Sequence, residues 1–210
     1  MKLQIFQADA FASSLFKGNP AAVIPLTEWL SDKQMQQIAM ENNLSETAFF
    51  IPEGQGFHIR WFTPKAEVNL CGHATLATAH ILFNELNFQG EVIAFNSKSG
   101  VLTVEKSGER LQLDFPADFA REVETVPVFT EAFGIQPSAT LKGRTDYLLI
   151  FDSEEIIRNL KPNFHLLRQT DARGIIVTAK GNEVDFVCRF FAPGVGIDED
   201  PVTGSAHTTL

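Results

Sequence analysis

Two short stretches of the chain contain the residue types that general acid–base chemistry requires. The stretch NLSETAFF carries Glu46 between two hydroxyl residues, and an apolar run begins after the second of them. The stretch NLCGHATLATAH, Asn69 to His80, puts a thiol, a glycine and an imidazole where a strand-like run meets an alanine-rich helix. In a partly dry cleft, desolvation would raise the pKa of the Glu46 carboxyl and fit it to remove and return a proton. A solvated turn is the alternative for Glu46, because most glutamates in such positions do nothing chemical.

His73, the imidazole of the second stretch, allows two interpretations. It could cap the helix that begins beside it, or it could act as a neutral imidazole that hydrogen-bonds a substrate or relays a proton. His80 lies two helical turns further on. That spacing is too wide for both side chains to bind one metal ion, so we expect no metal site.

Composition limits the kinds of partner. The chain has 210 residues with 44% hydrophobic content, enough for one generous core or two small ones. Its formal net charge of −9 argues against nucleic acid or an anionic membrane surface as partner, but it leaves room for a local site for a small anion. No stretch approaches the roughly 20 apolar residues that span a bilayer. The two cysteines have no metal-binding spacing, and we expect a reduced, cytoplasmic protein.

The patterns of apolar residues predict strands and helices mixed along the whole chain. Ser31 is placed to cap a helix over DKQMQQIAMENN, and the turn SGE predicts a hairpin between GVLTVEK and RLQLDFP. The stretch from Gly72 to about Phe88 predicts a helix buried on most sides. An acidic passage near the middle of the chain divides it into an N-terminal lobe, residues 1–117, and a C-terminal lobe, residues 118–210.

Two distant passages share a pattern that indicates an internal duplication. RWFTPKAEVNLCGHATLA begins at Arg60, and RFFAPGVGIDEDPVTGSAHTTL begins at Arg189. Each has an arginine, two aromatic residues and a proline, then a loop, a glycine (Gly72 or Gly204) and an alanine-containing helix start. Chance similarity is the alternative. If the lobes are duplicates, two helix N-termini could face each other across a cleft and trap a substrate carboxylate with their backbone N–H groups.

Four ordered motifs resemble those of one protein family. GNPAAV, NLSETAFF, FTPKAEVNLCGHATLATA and FAPGVGIDEDPVTGSAH are similar to the motifs of the PhzF-like phenazine biosynthesis family, which has the diaminopimelate epimerase-like fold. The resemblance implies an α+β protein of two pseudo-symmetric lobes, each a curved mixed sheet wrapped around a central helix. It also implies a homodimer that needs neither a metal nor an organic cofactor.

The resemblance also implies an activity and its residues. The best understood reaction of the family is an isomerisation of a dihydro-hydroxyanthranilic acid, in which one carboxylate moves a proton between ring carbons. By motif, the acid–base residue falls on Glu46, and the other polar site residues fall on His73, Asp200 and Ser205. Gly72 and Gly204 would let the substrate approach the backbone. Ser205 could otherwise be a helix N-cap, and repulsion among Asp198, Glu199 and Asp200 could keep one of them protonated.

Two other functions stay open from the sequence. Two-base racemases of this fold use one thiol from each lobe, and Cys71 beside a helix N-terminus would be a reactive thiol. The duplication sets Thr203 opposite Cys71, however, and Cys188 lies inside a strand pattern, which makes a two-thiol epimerase less favourable. The second alternative is a non-catalytic small-carboxylate-binding protein. It is suggested because family members continue for several strands beyond the position of Leu210, so the second lobe is expected to be incomplete.

Overall fold

The fold is described from a computed structural model that covers residues 2–12, 14, 16–115 and 117–210. The chain forms two compact units, Met1–Pro116 and Ala117–Leu210. The strands of the first unit are β1 (Phe6–Ala10), β2 (Asn19–Pro25), β3 (Glu46–Glu53), β4 (Gly56–Phe62), β5 (Glu67–Val68), β6 (Val92–Ser97), β7 (Gly100–Ser107) and β8 (Arg110–Asp114). Its helices are α1 (Asp32–Asn42) and α2 (Gly72–Asn84).

One mixed sheet curls around α2 in the first unit. The strand order is β1-β2-β3-β4-β6-β7-β8, with β5 beside β4, and the β2–β3 and β4–β6 pairs are parallel. Helix α2 contacts β1, β2 and β3 on one side of the sheet and β8 at its other edge. This explains why α2 is apolar all round, as the sequence predicts: most of its side chains are buried.

The ends of the two helices follow from local chemistry. Ser31 and Gln34 form a capping box at the start of α1, and Asn43 ends α1 in the left-handed conformation, φ 51°. The Ser31 cap and the hairpin between β7 and β8 confirm the sequence predictions. Helix α2 ends at Asn84 rather than near Phe88, because the following turn passes through Asn87 with φ 55°.

The second unit is also a mixed sheet with helices, and it has its own core. Its strands are β9 (Arg121–Val123), β10 (Ala139–Lys142), β11 (Asp146–Ile150), β12 (Gly174–Lys180), β13 (Phe186–Ala192) and β14 (Ile197–Asp200), in the order β14-β13-β12-β11-β10-β9. Its α-helices are α3 (Pro127–Phe133), α4 (Glu154–Asn159) and α5 (Phe164–Leu167). Two 3₁₀ helices span Pro193–Val195 and Gly204–Thr208.

The two units repeat one topology. In the first unit, β1 and β2 pair antiparallel, β2 and β3 pair parallel with α1 between them, and β3, β4 and β5 pair antiparallel before α2 begins. In the second unit, β10 and β11 pair antiparallel, β11 and β12 pair parallel with α4 and α5 between them, and β12, β13 and β14 pair antiparallel before the last 3₁₀ helix. The shared order and strand directions support the duplication that the sequence indicates.

The second helix start differs from the expected α-helix. Residues Gly204–Thr208 form a 3₁₀ helix, in which the Ala206 amide donates to the Thr203 carbonyl at 3.2 Å. The Thr208 hydroxyl also donates to the Ser205 carbonyl, three residues back, at 2.7 Å.

Among the residues that the structure describes, no helix is long and apolar enough to cross a membrane.

Candidate active site

Glu46 lies at the first position of β3, where the sheet buries it. The parallel pair with β2 places Glu46 opposite Ala21, and the Asn42 side chain at the end of α1 donates to the hydroxyl of the neighbouring Thr47 at 3.1 Å. The Glu46 side chain is 12% exposed. The solvated turn that the sequence allows for this glutamate is therefore excluded, and Glu46 is a carboxyl in a partly dry environment.

His73, in the first turn of α2, faces Glu46. Its Nε2 atom lies 3.3 Å from Oε2 of Glu46, and its side chain is 3% exposed. Burial lowers the pKa of His73 to about 4, so the imidazole is neutral near pH 7. In the described part of the chain, Nε2 has no aligned hydrogen-bond partner, although the carboxylate is within reach. A substrate oxygen or nitrogen that entered beside Glu46 would find this ring nitrogen available.

Cys71 contacts the other nitrogen of the same ring. Its Sγ atom lies 3.5 Å from Nδ1 of His73, and the residue is buried. The Cys71 backbone is extended, and its carbonyl accepts a hydrogen bond from the Thr75 hydroxyl in the next turn. Cys71 occupies the N-cap position of α2 without a side-chain capping bond in the described structure. The sequence marked this thiol only as a possible base; its contact with His73 could not be read from the motif.

The three side chains together offer donors of the kinds that bind transition metals. One nitrogen, one sulfur and one oxygen from His73, Cys71 and Glu46 lie within 4.8 Å of one another. The imidazole reaches its two neighbours through opposite ring nitrogens, however. A single metal ion can bind only one of these nitrogens, so it would replace one contact and leave the other. The geometry fits a chain of thiol, imidazole and carboxylate better than a metal centre.

The candidate residues of the second unit form a separate polar group. Asp200 ends β14, where its carboxylate accepts a hydrogen bond from the Thr203 hydroxyl. Gly204 begins the 3₁₀ helix that follows. Ser205 is not the N-cap that the sequence allowed, because Thr203 holds that position. The Ser205 hydroxyl instead accepts from Nη2 of Arg173 at 3.2 Å.

Arg173 is a residue that the sequence pattern did not reveal. Its Nε atom donates to Oδ1 of Asp146 at 2.8 Å, and its Nη2 atom donates to Oδ2 of the same carboxylate. Asp146 is buried, at 3% exposure, and its two hydrogen bonds fix the guanidinium. The guanidinium in turn holds the Ser205 hydroxyl by a hydrogen bond. Pairing between β11 and β12 sets Asp146 opposite Gly174, the residue after Arg173. This contact depends on strand register and has no local signal in the sequence.

The expected repulsion among the three acids around Asp200 is relieved by two arginines. Asp198 accepts from Nη2 of Arg168 at 2.7 Å, and Glu199 accepts from Nε of Arg189, also at 2.7 Å. Cys188, which the sequence places in a strand, lies in β13 opposite Thr178, and burial raises the pKa of its thiol. Its reactivity is thereby reduced, as for a structural cysteine.

Comparison with known proteins gives the family. The profile of the PhzC/PhzF family, described as phenazine biosynthesis-like protein, matches residues 8–210. An uncharacterized isomerase of Pseudomonas aeruginosa is 53% identical over 100% of this chain and 80% of its own length. The crystal structure of a PhzF-family phenazine biosynthesis protein from Enterococcus faecalis is 47% identical, with a TM-score of 0.92, over 100% of this chain and 80% of that one. The chain belongs to the PhzF-like phenazine biosynthesis family.

More distant structures share the fold alone. A structure described as a predicted epimerase of Pseudomonas aeruginosa has a TM-score of 0.71 at 20% identity, covering 98% of this chain and 79% of that one. A probable proline racemase of Agrobacterium radiobacter has a TM-score of 0.62 at 8% identity, covering 95% and 73%. The α+β, epimerase-like architecture that the resemblance implies is confirmed. The family and its isomerase relatives together make this chain an isomerase.

Proposed function

We propose that the protein moves a proton between carbons of a small cyclic or amino-acid-like carboxylic acid without help from a cofactor. A dihydro-hydroxyanthranilic acid, as in phenazine-type biosynthesis, is the first substrate to test. Glu46 is the general acid–base residue, and His73 and the start of α2 bind and orient the substrate. The observation that carries this proposal is a buried carboxyl 3.3 Å from an imidazole that burial keeps neutral.

The chemistry of the step assigns a separate task to each group. Glu46 removes a proton from one carbon and returns it to another, so that the carboxyl is unchanged after each turnover. Negative charge develops on the substrate while Glu46 holds the proton. His73 near pH 7 is neutral and can donate a hydrogen bond from Nε2 without adding a full positive charge that would hold Glu46 deprotonated.

The start of α2 is the part of this site that suits an acidic substrate. The first turn of a helix has backbone N–H groups without intrahelical acceptors and carries a partial positive charge. In the described structure, no side-chain capping bond from Cys71 occupies these groups, and Gly72 is the first helical residue. A substrate carboxylate could therefore bind there, close to the reacting carbon and to Glu46.

We also propose Asp200, Gly204 and Ser205 as substrate-binding residues, by their match to the family motif. The Ser205 hydroxyl is held by Arg173, and the Asp200 carboxylate is held by Thr203, so both side chains are pre-oriented. Substitution of Ser205 by Ala should raise KM more than it lowers kcat, because it removes a binding contact and leaves Glu46 intact.

The deciding experiment is proton exchange with solvent. The protein is incubated in deuterated water with a dihydro-hydroxyanthranilic acid and with a panel of cyclic carboxylic and amino acids, and NMR reports deuterium on carbon. We expect exchange or isomerisation by the native protein and a loss of at least about 100-fold in Glu46→Gln, which cannot hold the proton. Glu53→Gln, on the exposed end of the same strand, is the matched control and should keep full activity.

Two other outcomes of this experiment would each support one of the alternative functions. Exchange that survives in Glu46→Gln but disappears in Cys71→Ala would reject Glu46 as the base and favour a thiol-based epimerase. Saturable binding of these acids without exchange would favour the non-catalytic carboxylate-binding protein.

We further propose a cytoplasmic homodimer, and light scattering at several protein concentrations tests the dimer.

A further inference from the structure

Cys71 and Glu46 lie on opposite sides of one buried imidazole, and this arrangement gives the thiol a task. Nδ1 of His73 is 3.5 Å from Sγ of Cys71, while Nε2 is 3.3 Å from the carboxylate. Because burial lowers the pKa of His73 to about 4, the neutral ring carries only one proton, which sits on one of these two nitrogens. The group beside Nδ1 therefore determines what Nε2 can do.

We propose that Cys71 is a positioning residue whose S–H group donates to Nδ1 of His73, so that Nε2–H is turned toward Glu46 and the substrate. This inference rests on the proposed function, since it explains how the binding imidazole of that site is held. The thiol keeps its proton throughout and no bond to its sulfur forms or breaks, while Glu46 carries the proton that moves between the carbons of the substrate. It differs from the thiol-base alternative, in which Cys71 itself would take the proton of the substrate.

Two features of the site favour this direction of the hydrogen bond. A carboxylate accepts but does not donate, so a nearby Nε2 is best protonated, which leaves Nδ1 as the acceptor. A thiol is a weak donor that can fill this role without bringing a charge into a buried site. The reverse arrangement would require a protonated Glu46 as the donor to Nε2 and would leave Nδ1–H facing the thiol sulfur, which is only a weak acceptor.

Elements of the fold hold the thiol in place for this contact. Cys71 is the residue before α2, with φ −147° and ψ 118°, and the Thr75 hydroxyl is bonded to its carbonyl. The extended backbone tolerates β-branched residues, so Val can replace Cys71 with little strain. Cys71→Val removes the donor and keeps an apolar side chain that is larger by about one methyl group, and Cys71→Ser keeps a hydroxyl donor at the same place. These two variants separate the hydrogen bond from packing.

The test begins with NMR of the substrate-free protein, so that its result does not depend on the proposed activity. The chain has five histidines, and nitrogen-15-labelled histidine with His73→Gln as the assignment reference identifies the ring of His73. Near neutral pH we expect the proton on Nε2 and a hydrogen-bonded acceptor at Nδ1 in the native protein and in Cys71→Ser. In Cys71→Val we expect the acceptor signature at Nδ1 to disappear.

Exchange kinetics then connect the hydrogen bond between Cys71 and His73 to the reaction. With any acid that the native protein deuterates, Cys71→Val should exchange about 10-fold more slowly, and Cys71→Ser should stay within about threefold of native. A proton on Nδ1 in the native protein would overturn the proposal, as would Cys71→Val that matches native in both spectrum and rate. If Cys71→Ser keeps the native spectrum but loses exchange as completely as Cys71→Val, the thiol has a chemical role instead. If the protein deuterates none of the acids, the proposed function fails, while the spectra still show which ring nitrogen of His73 carries the proton.

Discussion

The side chain of His73 is 3% exposed, and folding moves its pKa from 6.5 to about 4 because water can no longer solvate the imidazolium. The sequence could show that an imidazole stands at a helix start, but not that it would be buried beside a carboxyl. That neighbour arrives through the pairing of β2 with β3, far along the chain from α2. The residue-scale chemistry of the site is therefore a consequence of long-range contacts.

The neutral His73 predicts how stability depends on pH. Its folded pKa is below the unfolded value, so the unfolded state binds the extra proton and the stability is lost as pH falls. The free energy of unfolding should decrease between about pH 6.5 and pH 4, and His73 should account for about 3 kcal/mol of that decrease. Urea denaturation of native protein and His73→Gln at several pH values measures the difference.

A matched control for this pH dependence is available on the same helix. His80→Gln makes the same chemical change at an exposed imidazole of α2 and serves as the matched control for the substitution itself. If His73→Gln keeps the native slope, a different group is responsible for the loss in acid, and the neutral, desolvated state of His73 is wrong.

The start of α1 is the helix end that the sequence describes best, because its capping signal lies within a few residues. Ser31 and Gln34 bond reciprocally to each other's backbone N–H groups at the start of α1. Removing this cap in Ser31→Ala should lower the free energy of unfolding by about 1 kcal/mol, while Ser31→Thr should retain most of it. Chemical denaturation checks both variants. Equal stability of Ser31→Ala and native protein would show that packing alone holds the helix start.

Other parts of the elements were predicted less well. The pattern correctly predicts the apolar, buried α2, but it extends the helix to about Phe88, whereas the structure ends it at Asn84. It also predicts an α-helix after Gly204, where a 3₁₀ helix forms instead, with the Ala206 amide bonded to the Thr203 carbonyl three residues back. Arg173, which orients Ser205, had no signal at all, since its partner Asp146 comes from a neighbouring strand.

At the scale of the whole molecule, the duplication accounts for most of the architecture. The matching passages at Arg60 and Arg189 begin in β4 and β13, which hold the same place in the order of strands within each unit. Each arginine also lies over the aromatic ring two residues on, Phe62 or Phe191, at 5.2 and 5.0 Å. The repeat was visible in the sequence because these residues recur in order. The acidic partners of the two arginines were not visible, because the loop between each arginine and its partner differs in length.

Both arginines make the same bidentate ion pair with the next strand. Arg60 donates through Nε and Nη2 to Glu67 at 2.7 and 2.9 Å, and Arg189 donates through the same atoms to Glu199 at 2.7 and 2.8 Å. These contacts raise the pKa of each arginine, the hydrogen bond to the glutamate being the largest cause. If the pairs are equivalent parts of a duplicated unit, each should stabilise its own sheet in the same way.

Double-mutant cycles test this equivalence. Arg60→Met with Glu67→Gln, and Arg189→Met with Glu199→Gln, should each give a coupling energy of about 1 kcal/mol in urea denaturation. The first should be the larger, because the Glu67 side chain is 17% exposed and that of Glu199 is 37% exposed. The exposed pair of Arg168 and Asp198 is the control and should give at most about 0.5 kcal/mol. Coupling in only one of the two units would mean that the duplication preserved the strand order but not the interaction that the arginine makes.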